Sequence, residues 1–305
     1  MSSVAAAALQ LGGVAFAPLV PGTIQTLKAR MQGRRGASPL QPYRVLRRLW
    51  GKTVVDPEGA GLLYRLAPSI AAASLLIAFA LVPLGDRSGG LGLGNDALVL
   101  VGLLALARFA VAAAAWDPGN GFALMGAARD LTLAVFGEAL LMLALLLAAL
   151  PAHSTDLVAM TEAAGGWAVW SHAAHWCGAF AFALVVLLET GRQPIDNPDT
   201  HLELTMIHEG PLLEYAGRDL AYLSWVAAAR HWLILTLAAG LFLPHPGGFL
   251  GGLAALAGGL AAACLVLAVT ETTQAKMRIL RVPLLLGVGC LVALAGLVSS
   301  IAGGP

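Results

Sequence analysis

Eight stretches of this 305-residue chain are apolar for long enough to cross a lipid bilayer, and that succession leaves one kind of fold open. They fall at about residues 3–27, 63–84, 95–115, 130–151, 168–190, 231–244, 249–271 and 281–302. A helix needs roughly 20 residues, at about 1.5 Å of rise each, to traverse about 30 Å of hydrocarbon. Strands of a membrane barrel alternate in polarity, but these runs are continuously apolar. An all-α membrane protein of about eight transmembrane helices is therefore expected. With 58% apolar and only 11% charged residues, the chain has too few charges to clothe a soluble protein of this size. Pro244 and Pro246 end the sixth run early, and its start can lie nearer Tyr222. The first run lacks a basic leading region and continues into a charged loop, so a retained helix is expected rather than a cleaved signal peptide.

Orientation follows from lysine and arginine. With eight spans, the loops at about 28–62, 116–129, 191–230 and 272–280 share one side. Counting the flanking Arg65 and Arg281, that side holds sixteen of the eighteen basic residues, and the opposite loops hold only Arg87. Such a split puts the long loops in the cytoplasm of a cell with an inner membrane, and both termini outside.

One polytopic domain, 1–305, is expected, interrupted by two long inside loops. The first, 28–62, is basic. Between Leu40 and Trp50, Tyr43, Leu46, Leu49 and Trp50 recur at helical spacing, while Arg44, Arg47 and Arg48 take the other face. That pattern is an amphipathic helix on the membrane surface, facing lipid headgroups and offering a floor for a soluble partner. No soluble basic domain exists to bind nucleic acid. The second loop, 191–230, is acidic: seven of the seventeen carboxylates lie between Glu189 and Asp219. They interleave with Pro, Met and Leu, as in a folded loop covered by a partner. Cys177, Cys264 and Cys290 stand singly in apolar runs, with no spacing for a zinc or iron–sulfur site. His172 and His175 are three apart beside Trp176 and read better as an interfacial belt than as a metal pair.

These loops resemble a known family. The run from Ala29 to Gly36, with Leu40-Gln41-Pro42-Tyr43-Arg44, is similar to the first inside loop of formate hydrogenlyase subunit 4 and hydrogenase-4 component C. These are membrane-anchor subunits of energy-converting nickel–iron hydrogenases, related to subunit 1 of respiratory complex I. The run from Glu189 to Glu209, with Glu214-Tyr215-Ala216-Gly217, resembles the second inside loop. His201 stands where the complex I branch carries a carboxylate, and Ala37 and Val45 also depart from the usual wording. The resemblance implies a non-catalytic subunit that holds a soluble redox arm against antiporter-like membrane subunits. Its partners would be hydrogenase large and small subunits and an iron–sulfur subunit. The iron–sulfur clusters and the nickel–iron site would belong to those partners, none to this chain. Docking would fall to Arg30, Arg34, Arg35, Gln41, Tyr43 and Arg44 in the first loop, and to Asp196, Asp199, His201, Glu209 and Tyr215 in the second.

Two ionisable residues fall inside apolar runs, and these are functional candidates because an intramembrane charge is costly unless paired or hydrated. Arg108 and Glu138 each sit about 12 Å deep, on consecutive antiparallel helices, so they can pair. A static salt bridge is one reading. The other is a proton path on which Glu138, Glu189, Glu203 and Glu214 carry the proton. Asp130 and Glu271 would mark its inside end, with Arg108 and Arg192 as tuning cations. Rival functions are a quinone-site subunit of a complex I-type enzyme, a self-sufficient transporter, and a purely structural anchor. A transporter should show inverted repeats, and none is apparent.

Overall fold

A computed structural model describes residue 10 and residues 12–84, 94–196, 207–245 and 248–302. Ten α-helices occur among them: α1 Leu19–Met31, α2 Gln41–Trp50, α3 Leu62–Leu81, α4 Ala97–Trp116 and α5 Gly121–Ala149, then α6 Leu157–Ala164, α7 Ala173–Glu189, α8 Gly217–Phe242, α9 Phe249–Thr273 and α10 Val282–Ala302. Among the described residues no strand forms, only one isolated bridge between Asp96 and Asp156. Helices α3, α4, α5, α8, α9 and α10 are long and apolar enough to span a bilayer, and α7 is a shorter apolar helix of 17 residues. The protein is an all-α, multi-pass membrane protein.

The centre of the bundle is α8, which packs against α1, α2, α3, α6, α7 and α9. On one flank α5, α7 and α10 pack together, and on another α9 lies along α1. The first expected span, 3–27, is a broken helix over its described part. Residues 12–16 are helical, a turn follows at 17–18, and α1 then begins. Pro18 causes the break, because it has no N–H for the carbonyl four residues back. That carbonyl, on Val14, instead accepts a hydrogen bond from the Trp225 indole at 3.3 Å. Leaving it bare in hydrocarbon would be costly, so α8 repairs what the proline breaks.

Two helices reach further into the polar segments than the apolar runs suggest. The fourth begins at Gly121 rather than 130, capped by the Asn120 side chain, which accepts from Phe122 N at 2.8 Å. The sixth begins at Gly217 rather than 231. The fifth starts later, because Trp167–Ser171 is a 3-10 turn ahead of α7. On the opposite face, Asp96 and Asp156 cap α4 and α6, and reciprocal backbone bonds (Ala97 N to Thr155 O, 2.9 Å; Leu157 N to Asn95 O, 2.7 Å) staple the two starts together.

The amphipathic segment forms α2. Its Arg44, Arg47 and Arg48 are exposed, and its other side meets α1 and α8, with Trp50 edge-on to Tyr222 at 5.0 Å and the Tyr43 hydroxyl donating to Ala15 O at 2.5 Å.

Candidate functional site

The site is built on a reversal of the chain at the end of α7. Gly191 has a φ of +59°, the left-handed region that favours glycine. Its N–H bonds Leu188 O at 3.1 Å, and the next N–H, on Arg192, bonds Leu187 O at 3.1 Å. This is the paired closure of a glycine-terminated helix. It leaves Glu189 facing one way and turns Arg192 back into the bundle. A Cβ on residue 191 would also meet His208 Nδ1 at 3.0 Å. Gly191→Ala is therefore expected to destabilise the protein by about 1–2 kcal/mol, read as a lower unfolding temperature in detergent.

Around this turn lies a chain of buried ion pairs. Arg108 of α4 meets three carboxylates with one guanidinium: Glu189 at 2.5 Å, and Asp130 and Glu138 of α5 at 3.7 Å each. A planar fork with five N–H donors suits such a task, and lysine would not. The other Glu189 oxygen accepts from Arg230 of α8 at 2.9 Å, and Arg230 also donates to Leu104 O at 2.8 Å. The Arg108 and Glu189 side chains are only 5% and 3% exposed, so neither charge is left to water. Glu138 differs, with 39% of its side chain exposed.

Beyond Asp130 the chain of contacts runs out of the membrane. His208 lies 3.7 Å from Asp130 and 3.3 Å from Asp196, and Lys276 donates to Asp196 at 2.8 Å. Four carboxylates (Asp130, Glu138, Glu189, Asp196) thus face three permanent cations (Arg108, Arg230, Lys276), and a proton on His208 brings the sum to zero. A second group sits on the other side of Arg192. Its guanidinium donates to Glu271 at 2.8 Å and to His231 Nε2 at 3.3 Å, and Lys28 reaches Glu271 at 3.2 Å. His231 Nε2 accepts, so its other nitrogen donates to Ala227 O at 2.9 Å, which fixes the tautomer. Between the two groups is a cavity of about 120 Å³, walled by Arg108, Asp130, Glu189, His208, Arg230 and His231. Ala107, Val111, Leu212, Leu223 and Val226 complete its wall, and it has room for water beside the charged groups.

The loop clasp responds to pH. Burial alone would raise the Asp196 carboxyl, but the hydrogen bonds and charges of His208 and Lys276 hold it well below the usual carboxylate range. Burial alone would lower His208, but the Asp196 hydrogen bond and the Asp130 charge raise it. A lowered carboxylate stabilises above its unfolded pKa of about 4. A raised histidine stabilises fully below about 6.5 and loses that contribution as pH rises through its folded value. The clasp is thus tightest from about pH 4 to 6.5 and loosens above it. Amide exchange at residues 207–216 should accelerate as pH rises above about 6.5, beyond the intrinsic pH effect, and His208→Gln should remove that excess.

Of the sequence candidates, the structure brings together Arg108, Asp130, Glu138 and Glu189, and separately Arg192 and Glu271. Arg108 does approach Glu138, but its short contact goes to Glu189. Glu214 stands apart from this network. Its carboxylate accepts from the Asn120 side chain, and its backbone carbonyl accepts from the Tyr64 hydroxyl at 2.7 Å. Asp199, His201 and Glu203 lie outside the described residues. Among the docking candidates, Arg30, Arg34, Arg35 and Arg44 are exposed, and Gln41, Tyr43 and Glu209 are partly covered. Asp196 and Tyr215 are buried within the chain, so neither offers a surface to a partner. Tyr215 stacks on Tyr64 with ring centres 4.3 Å apart and donates to Tyr64 O at 2.8 Å. The sequence pattern does not single out Arg230, His231, His208 or Lys28 for the site. It puts Arg230 and His231 at the mouth of the sixth run, whereas α8 carries them more than three turns past its start.

A family model described as NADH dehydrogenase matches residues 4–301. Formate hydrogenlyase subunit 4 of Escherichia coli (strain K12) is 30% identical over 272 residues, covering 87% of this chain and 88% of that protein. Hydrogenase-4 component C of the same strain is 35% identical over 228 residues, 74% of this chain and 71% of the relative. A subunit of the NADH-quinone oxidoreductase of Rhodopseudomonas palustris (strain BisB5) is 29% identical over 244 residues, 76% of this chain and 74% of the relative. A chain of the membrane-bound sulfane sulfur reductase, an archaeal respiratory membrane complex, has the same fold. It superposes with a TM-score of 0.84 over 97% of this chain and 98% of its own length, at 23% identity.

Proposed function

We propose, from the premise that this chain belongs to the NADH dehydrogenase family, that it is the membrane-anchor and coupling subunit of an energy-converting hydrogenase-type complex. It holds a soluble electron-transfer arm on its two long cytoplasmic loops and passes the effect of electron transfer to proton or sodium translocation in antiporter-like neighbours. Relatives from hydrogenase complexes, at 30% and 35% identity, support that branch. Nickel and iron–sulfur centres belong to partner subunits.

The observation that carries the coupling role is the continuous run of charge from Glu138 through Arg108, Glu189 and Asp130 to His208, Asp196 and Lys276. It links a half-exposed carboxylate in the bundle to the loop on which the soluble arm would rest. A charge arriving at the loop end changes the field along the whole run, because low-dielectric surroundings screen little. Asp130 and Glu189 both line the adjoining cavity and share Arg108, so water entering there would give a proton a route between them.

The test is to purify the intact complex through this subunit in mild detergent and assay nickel and hydrogen evolution from a reduced dye. Nickel with hydrogen evolution is the expected result. Iron–sulfur partners without nickel, but with quinone reduction, would move the chain to the complex I branch. Absence of any redox partner would overturn the reading.

A further inference from the structure

A large cavity lies away from the charged site, and nothing in the coupling role uses it. It is a furrow of about 1200 Å³ along the seam of α1 and α9. One stripe of the first helix and α1, from Gly12 and Phe16 to Leu27, forms one wall, and a stripe of α9 with Ala257 and Ala261 forms the other. The furrow opens sideways, since Phe16 is 61% and Leu265 48% exposed. The hydroxyl protons of its threonines are already engaged by backbone carbonyls. Thr23 donates to Val20 O and Thr26 to Gly22 O, each at 2.8 Å. The interior therefore accepts only hydrocarbon. The one charged residue on the described lining is Arg30, at the cytoplasmic end. Arg30 is exposed, and no described carboxylate pairs with it.

We infer that this furrow binds an anionic phospholipid of the inner leaflet, with acyl chain in the slot and phosphate against Arg30. The depth fits: from Val20 to Arg30 the helix rises about 15 Å, half of a hydrocarbon core of about 30 Å. The charge decides against a neutral amphiphile, because a lone cation at the headgroup level selects an anion.

The experiment is to isolate the chain in the complex it forms and wash it exhaustively with mild detergent. Bound lipid is then quantified by native mass spectrometry and extraction. Wild type should retain phosphatidylglycerol or another anionic phospholipid in a fixed ratio to the chain. Ala257→Phe, which fills the slot from an exposed position on α9, should lower retained lipid at least tenfold. Arg30→Gln, at an exposed site that folding does not need, should keep lipid but reduce the preference for phosphatidylglycerol over phosphatidylethanolamine about fivefold. Unchanged lipid in Ala257→Phe, an unchanged preference in Arg30→Gln, or a quinone or partner helix found in the furrow would each overturn the assignment.

Discussion

Arg108→Gln is expected to be among the most damaging single changes in the chain, lowering stability by about 3–5 kcal/mol and uncoupling what complex still assembles. The substitution removes the cation shared by Glu189, Asp130 and Glu138. Glu189 keeps Arg230, but its 2.5 Å partner is gone and its side chain remains almost wholly enclosed. The cost is that of stranding a charge rather than of losing an attraction. Detergent-purified complex should show a much lower unfolding temperature and reduced yield. Arg108→Lys should recover only part of both, because one ammonium cannot span three carboxylates. Full stability in the glutamine variant would mean that the cluster is held together elsewhere.

Glu138→Gln should act in the opposite way, leaving stability nearly unchanged and cutting coupling. Its carboxylate touches Arg108 only at 3.7 Å, and neutralising a loosely paired charge at mid-membrane depth removes a desolvation cost, so its loss should cost under about 1 kcal/mol. Yet it is the end of the charged run furthest from the loops. In proteoliposomes, the ratio of ions moved to hydrogen evolved should fall at least twofold, with dye-driven hydrogen evolution in detergent unaltered. An unchanged ratio would remove Glu138 from the path and leave it a packing residue. Together the two variants separate a scaffold of charges from a conductor of them.

How far the fold is legible in the sequence depends on where each charge finds its partner. The apolar runs announce the helices, because only helices satisfy backbone groups in hydrocarbon. Helix ends are misjudged wherever a polar residue is satisfied by the fold instead of by water. The apolar pattern makes Asp130 the inside end of its span, yet α5 begins nine residues before it, and Arg230 lies deep in α8 for the same reason. Arg108 and Glu138 are legible because consecutive antiparallel helices fix relative depth. The partners of Arg192 are not, since Glu271 and His231 come from α9 and α8, and no local period relates them. Nor does spacing show that Tyr215 stacks inside on Tyr64.

With His208 protonated the charges of the ion-pair run balance, and such a largely buried set behaves as a capacitor with very small capacitance. Adding one proton to any of its carboxylates leaves a whole uncompensated elementary charge in a medium that screens poorly, which repels a second. Such an element fills and empties one charge at a time, so a fixed step of electron transfer would be matched to a whole number of ions.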